Sequence, residues 1–183
     1  MRPKVSVFIA TSLDGFIARK DGNLDWLDEA NKAAPSGEDC GYHAFMASVD
    51  ILVMGRHSFE KVLSFGQWPY EAKPVLVLSS KKIEMPERLP ATVSSSSETP
   101  EALVQRLSTL GVKHIYIDGG VTIQRFLEAK LVDELTLTLV PVLLGEGKPL
   151  FGGNREDLVL KHLETKTFEF GYVQLKYRVG VSE

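Results

Sequence analysis

In the run Asp50-Ile51-Leu52-Val53-Met54-Gly55-Arg56-His57-Ser58, a short apolar stretch leads straight into a glycine, a cation and a hydroxyl where a helix should begin. Those residue types at that place suit an anion. A helix N-terminus presents unpaired N–H groups and the positive end of the helix dipole. Glycine lets the backbone approach a ligand closely, and arginine can grip a phosphate through two parallel hydrogen bonds. Gly55, Arg56, His57 and Ser58 are therefore candidate ligands of a phosphorylated cofactor.

Two other turns fit the same chemistry. Ser79-Ser80-Lys81 ends the apolar run Pro74 to Ser79 with two hydroxyls and a cation, and Ser79 or Ser80 could complete the anion pocket. Taken alone it also reads as an ordinary polar strand end. Gly119-Gly120 stands between the apolar run His114 to Ile117 and Val121-Thr122-Ile123, where backbone amides at a second helix start could meet a pyrophosphate. A plain turn is the alternative. The chain has no G-x-G-x-x-G fingerprint, which disfavours an ordinary Rossmann site.

Two acids are candidates for catalysis. Asp39 shares a helical face with Tyr42, His43 and Met46, a face that could line a pocket, and a lone carboxylate there would have its pKa raised toward the working pH. The same residue could serve the helix instead. Ser36-Gly37-Glu38-Asp39 resembles a capping arrangement, with Ser36 as N-cap and Asp39 at the third helical position. Asp14, in Ser12-Leu13-Asp14-Gly15, leaves the first strand at the ligand end, although Asp-Gly is also a common turn. Trp26 could cover a planar substrate or simply pin a loop to the core. With Ala10 at the end of the first strand, Trp26, Tyr42 and His43 complete the candidate substrate pocket.

The elements that must position these residues alternate. Val5 to Ala10, Ile51 to Met54, Pro74 to Ser79 and His114 to Ile117 read as buried strands; Gly37 to Ser48, Ser58 to Leu63, Glu101 to Leu110 and Val121 to Ala129 read as helices. Met85 to Pro100 reads as a Pro- and Ser-rich surface stretch. The tail supplies only strands, at Glu134 to Val140, Leu158 to Thr167 and Tyr172 to Val179, the last two forming a hairpin around Phe168 to Gly171. This order predicts an α/β fold with a mostly parallel central sheet, helices on both faces, and an antiparallel C-terminal edge. Ligands of such sheets bind at the carboxyl ends of the strands, where all three turns fall. At 183 residues and 44% hydrophobic, the chain fits one domain, 1–183.

Composition also excludes partners. A formal charge of −3, with 21 Lys and Arg against 24 Asp and Glu, argues against a nucleic-acid or anionic-membrane surface. No apolar run approaches the roughly 20 residues that cross a bilayer, and Met1-Arg2-Pro3-Lys4 leads into a strand, so the expected location is cytoplasmic. A single cysteine, Cys40, excludes an internal disulfide, and His43, His57, His114 and His162 lack metal-ligand spacing; no metal is expected. The long late strands would leave edges, so a homodimer is expected.

Taken together, Met54-Gly55-Arg56-His57-Ser58, Leu78-Ser79-Ser80 and Gly119-Gly120 resemble the dihydrofolate reductase superfamily. Within it, the chain is most similar to the group of the reductase domain in bifunctional riboflavin-biosynthesis deaminase-reductases. The resemblance runs from Val5 to Val179. It implies a three-layer dihydrofolate reductase-like fold and NADPH as cofactor, with Arg56, His57 and Ser58 on the 2′-phosphate and Gly119, Gly120, Val121 and Thr122 near the pyrophosphate. It also implies a pterin-binding role for Asp39, a lid-loop position near Trp26, and a cis peptide at the glycine pair. Thr11 to Gly15 and Val140 to Gly147 with Pro149-Leu150-Phe151 resemble the riboflavin-type reductase. Phe16 stands where that reductase often carries a basic residue, and Asp25 precedes Trp26 where dihydrofolate reductases favour proline. The zinc deaminase signature, H-x-E with P-C-x-x-C, cannot occur in a chain with one cysteine.

The reading is a stand-alone NADPH-dependent reductase of the 5-amino-6-(5-phosphoribosylamino)uracil reductase type, passing hydride to a pyrimidine- or pterin-like heterocycle. The alternatives are dihydrofolate reductase activity proper and a non-catalytic nucleotide-binding protein on the same scaffold.

Overall fold

The computed structural model describes residues 2–152 and 156–180; the one-domain expectation for residues 1, 153–155 and 181–183 lies outside the described residues. In chain order the elements are β1 (Lys4–Ser12), β2 (Phe16–Ala18), α1 (Asp25–Asn31), α2 (Tyr42–Ala47), β3 (Ile51–Gly55), α3 (Arg56–Leu63), β4 (Val75–Leu78) and β5 (Val93–Ser96). They continue with α4 (Pro100–Thr109), β6 (His114–Asp118), α5 (Gly120–Glu128), β7 (Glu134–Val140), β8 (Lys148–Pro149), β9 (Leu160–Thr167) and β10 (Val173–Val179).

Eight strands form one sheet in the order β5-β4-β3-β6-β1-β7-β10-β9. From β5 to β7 every pairing is parallel, and β10 and β9 close the sheet antiparallel. This is the α/β architecture expected from the alternation of elements. Parallel strands need both faces covered, which explains why β3 has no polar side chain and Leu52, Val53 and Met54 are fully buried. One face packs against α4 and α5 through Leu103, Leu107, Ile123 and Phe126. The other packs against α2 and α3 through Phe45, Met46 and Phe59. Burying a side chain such as Phe126 or Phe59 contributes about 2–3 kcal/mol.

Register sets the site. Met54 pairs with Asp118 and Gly55 with Leu78, while Val7 pairs with Ile117. The carboxyl ends of β6, β3 and β4 therefore finish at one level, and β1 runs on past them to Ser12 beside β7. Thr99 caps α4, accepting the Ala102 N–H at 3.3 Å, with Pro100 at the first helical position where its missing N–H costs nothing.

Three expectations are corrected. The helix expected over Gly37 to Ser48 is only the six residues of α2, because Gly37, Cys40 and Gly41 have φ of 84°, 52° and 85°, left-handed values that stop a helix from running through them. Ser36 is consequently not its N-cap. The surface stretch Met85 to Pro100 contains β5, whose hydroxyl-rich Val93-Ser94-Ser95-Ser96 lies at the sheet edge beside β4. All peptide bonds among the described residues are trans, that of Gly119-Gly120 included. The loop-rich excursion after β1 also holds α1, which packs over the β9–β10 hairpin; Tyr172 Oη donates to Asn31 Oδ1 at 2.9 Å.

Candidate active site

At the end of β3 the chain turns directly into α3, and at the end of β6 into α5. The two turns touch. A Cβ on Gly119, whose φ is +90°, would lie 2.3 Å from Ser58 Oγ, and one on Gly55 would lie 2.7 Å from Thr122 Oγ1. Only glycine fits at either place, and the result is a narrow seam of backbone lined by two hydroxyls. Neither α3 nor α5 has a side-chain N-cap, so their first-turn N–H groups have no side-chain acceptor. Val121 is exposed and can offer only its N–H, whereas Thr122 is buried with its hydroxyl in the seam.

Arg56 and His57 flank this seam on the first turn of α3, and Arg56 Nη1 donates to Glu60 Oε1 at 2.7 Å. Ser79 follows the Leu78 that pairs with Gly55. Its hydroxyl is used locally, donating to Lys81 O at 2.8 Å and accepting the Lys81 N–H at 3.0 Å. Ser80 is exposed.

Asp39 is not the isolated acid that the sequence suggested. Its carboxylate accepts the N–H groups of Gly41 and His43, each at 2.8 Å, and lies 2.5 Å from His43 Nδ1. These contacts, led by the His43 N–H, hold its carboxyl below the usual aspartate range, so the expected upward shift is corrected to a downward one. The residue takes the N-cap's part for α2 from two positions upstream. Its stabilisation is present above the ordinary value of 3.8 and is lost as pH falls through the lower folded value. Asp39→Ala should cost about 1 kcal/mol, or about 3 °C of Tm, whereas Asp39→Asn, which caps as well, should keep both stability and turnover within a few-fold. Thermal melts and steady-state assays check this; loss of turnover in a fully stable Asp39→Asn would return Asp39 to the chemistry.

Asp14 is likewise committed to backbone. It accepts from Ser12 Oγ at 2.6 Å and from the N–H groups of Gly145 and Leu144 at 2.7 and 3.2 Å. The Ser12 hydroxyl, first among these, lowers its pKa, the opposite of what a proton donor near neutrality needs. The contacts tie the β1–β2 turn to the loop after β7 and hold the two-stranded β2–β8 ribbon. That ribbon rests on α5: a Cβ on Gly120 would lie 2.8 Å from Ile17 Cδ1, and Gln124 Nε2 donates to Pro149 O and Leu150 O at 3.2 and 3.1 Å. Asp14→Ala should speed amide exchange at Gly145 and weaken anion binding at the α5 start severalfold, without a pH-dependent change in turnover above the ordinary carboxylate range. Unchanged exchange at Gly145 would contradict the tether.

The acid that the sequence reading missed is Asp118. It ends β6 immediately before the glycine pair and is half-buried. Burial pushes its pKa up, against the opposing pull of the Gly119 N–H and the Tyr116 hydroxyl. Tyr42 on α2, pushed to about 12 by burial and then by the Asp118 charge, and Tyr70, pushed up for the same two reasons, face it too. Tyr116 Oη, beside the Asp118 carboxyl, donates to Phe8 O at 2.9 Å, and Tyr42 meets Phe8 edge-on with ring centroids 5.7 Å apart. A carboxyl whose pKa is raised by burial, among aromatic rings and beside the glycine seam, is a candidate proton donor. The available signal was an acid directly before Gly119-Gly120, two residues beyond Tyr116 and so on the same strand face.

Of the substrate-lining candidates, Tyr42 belongs to this cluster, while His43 points outward, its side chain 91% exposed. Trp26 is 3% exposed and packs with Ala10, Cys40 and Leu144 over the ends of β1 and β7. Its indole N–H is buried and finds no acceptor among the described residues. A separate cavity of about 230 Å³ lies near the amino ends of the strands, between α2 and the polar face of β1, β7 and β10. Its charges are paired, Glu134 with Lys4 at 2.8 Å and with Lys176 at 3.2 Å. No metal-binding group of His, Cys, Asp and Glu occurs among the described residues.

Fold, strand order and the paired helix starts define a protein of the dihydrofolate reductase-like class, with a mostly parallel sheet and the site at its carboxyl edge. More narrowly, the chain belongs to the RibD C-terminal domain family, which matches residues 3–174. It is similar to YwjB of Bacillus subtilis strain 168, of uncharacterised function, at 35% identity over 97% of this chain and 98% of that one. A crystal structure from Shewanella sp. PV-4, described as a candidate riboflavin biosynthesis protein, superposes with a TM-score of 0.89 at 42% identity, covering 98% of this chain and 99% of that one. The fold also matches the Thermotoga maritima diaminohydroxyphosphoribosylaminopyrimidine deaminase/5-amino-6-(5-phosphoribosylamino)uracil reductase, with a TM-score of 0.72 at 16% identity, over 97% of this chain and 56% of that one.

Proposed function

We propose that the protein is an NADPH-dependent reductase that delivers hydride to a flat pyrimidine- or pterin-like ring. The observation that carries this reading is the seam in which Gly55 and Gly119 bring two helix starts, Ser58 and Thr122 together beside Arg56 and His57. The residues fit the cofactor: Arg56, His57 and Ser58 would hold the 2′-phosphate, and Gly119 to Thr122 the pyrophosphate. When bound, the nicotinamide supplies the hydride.

The chain's own residues do the rest. Asp118 supplies the proton that the reduced ring must gain, burial raising its carboxyl above the ordinary aspartate range. Tyr42 and Phe8 present aromatic surface for a planar substrate, and Trp26 packs with Ala10 beside the end of β1. A purely nucleotide-binding role leaves the raised acid beside the glycine pair without a task. The proposal includes a homodimer, supported by the wholly exposed edge strand β9, and a cytoplasmic location without nucleic-acid or membrane partners. No helix among the described residues is long and apolar enough to cross a membrane.

Steady oxidation of NADPH with a ribosylaminopyrimidine or a dihydropterin tests the reading. Substrate-dependent turnover supports it, and saturable NADPH binding with no turnover on either class would favour a binding protein.

A further inference from the structure

Both basic side chains assigned to the phosphate already lie beside one acid. Arg56 Nη1 lies 2.7 Å from Glu60 Oε1, and His57 Nδ1 lies 3.4 Å from Glu60 Oε2. The three residues occupy the first two turns of α3, at spacings of four and three, so the helix itself holds the carboxylate against both partners. Glu60 is 51% exposed and the Arg56 side chain 32%, so the group stands at the rim of the seam, where a ligand reaches it without unfolding anything.

A phosphate dianion that takes Arg56 must first displace this carboxylate and then lies beside a like charge. A ribose hydroxyl at the same place has neither difficulty: it can donate to the carboxylate while Arg56 stays paired. Resting on the cofactor reading above, we propose that Glu60 is a specificity-determining residue, an internal competitor for the Arg56 guanidinium and the neighbouring His57 ring that the 2′-phosphate of NADPH needs and an acceptor for the 2′-hydroxyl of NADH. It narrows the preference that Arg56 and His57 would otherwise impose. It also makes NADPH binding an exchange of one anion for another on the same helix.

Glu60→Gln keeps the side chain's length and helix preference and removes only its charge. Calorimetric titration of this variant with NADPH, NADH and adenosine 2′-phosphate reads the subsite without recourse to activity. NADPH and adenosine 2′-phosphate should bind severalfold more tightly than to the unaltered protein, with the gain shrinking at high salt, while NADH is unchanged or weakened. Unchanged or weaker NADPH binding in Glu60→Gln, with an unaltered Tm, overturns the inference. Arg56→Ala run in parallel separates the two levels. If it weakens NADPH while Glu60→Gln does nothing, only the role of Glu60 falls. If Arg56→Ala binds NADPH as the unaltered protein does, the phosphate site itself is misplaced.

Discussion

Arg56→Ala should weaken NADPH binding by about tenfold to a hundredfold and NADH binding by no more than a few-fold. The asymmetry follows from what each cofactor presents. Only NADPH carries a dianion for which a guanidinium, a helix N-terminus and the Ser58 hydroxyl at the seam are all suited. Arg56 is not needed for folding on this account. Its Glu60 pair is an exposed i,i+4 contact worth about 0.3–0.5 kcal/mol, so the melting temperature should hardly move. Titration of the variant with both cofactors checks the prediction, and an equal loss for the two would mean that Arg56 acts on the scaffold rather than on the 2′-phosphate.

The second large effect concerns Asp118. Replacing it with Asn keeps an acceptor for the Gly119 N–H but removes the transferable proton, so turnover should fall by about a hundredfold or more while NADPH affinity stays within a few-fold. The pH dependence supplies a signature that simple damage would lack. An acid donor works while protonated, so turnover of the unaltered protein should decline as pH rises through the raised Asp118 pKa, and that limb should vanish in Asp118→Asn. Stability runs the same way. Because the folded state binds this proton more tightly than the unfolded one, the group's favourable contribution is full below the ordinary value of 3.8 and is lost as pH rises through the raised value. Above that window Asp118→Asn should therefore melt higher than the unaltered protein, and at low pH the two should converge. A variant less stable at every pH, with the alkaline limb intact, would remove Asp118 from the proton's path.

What was legible in the chain depended on how local the physics is. The β3–α3 junction could be read because a fully apolar strand, a glycine and a basic, hydroxyl-bearing helix start occur within nine consecutive residues. The α2 region was over-read. Apolar spacing from Tyr42 onward is helical, but the left-handed backbone at Gly37, Cys40 and Gly41 halted the helix before Asp39. Asp39 was consequently placed on a helix face when it belongs to the turn that starts the helix. β5 escaped notice because an edge strand needs no apolar alternation: Ser94 and Ser95 face solvent, and β4 supplies the partner. Asp118 escaped for the opposite reason. Its place directly before the glycine pair was the one local mark, and its raised pKa arises only from burial once β6 lies between β1 and β3.

The ribbon around Asp14 shows a further limit. Ser12-Leu13-Asp14-Gly15 looks like a turn with a catalytic-grade acid, and the partners that occupy its carboxylate, Leu144 and Gly145, lie 130 and 131 residues away. Spacing within one segment cannot reveal a contact of that range. The register of β1 beside β7, which places Ser12 opposite Val140, makes it inevitable once the sheet forms.

The most direct test of the account is calorimetric titration of the unaltered protein with NADPH and with NADH under identical salt. Saturable binding of NADPH, tighter than that of NADH and weakened by salt, is the result expected of a seam flanked by Arg56 and His57. Binding of neither cofactor, or of both with equal strength and no salt dependence, would contradict the phosphate site and the reductase reading built on it.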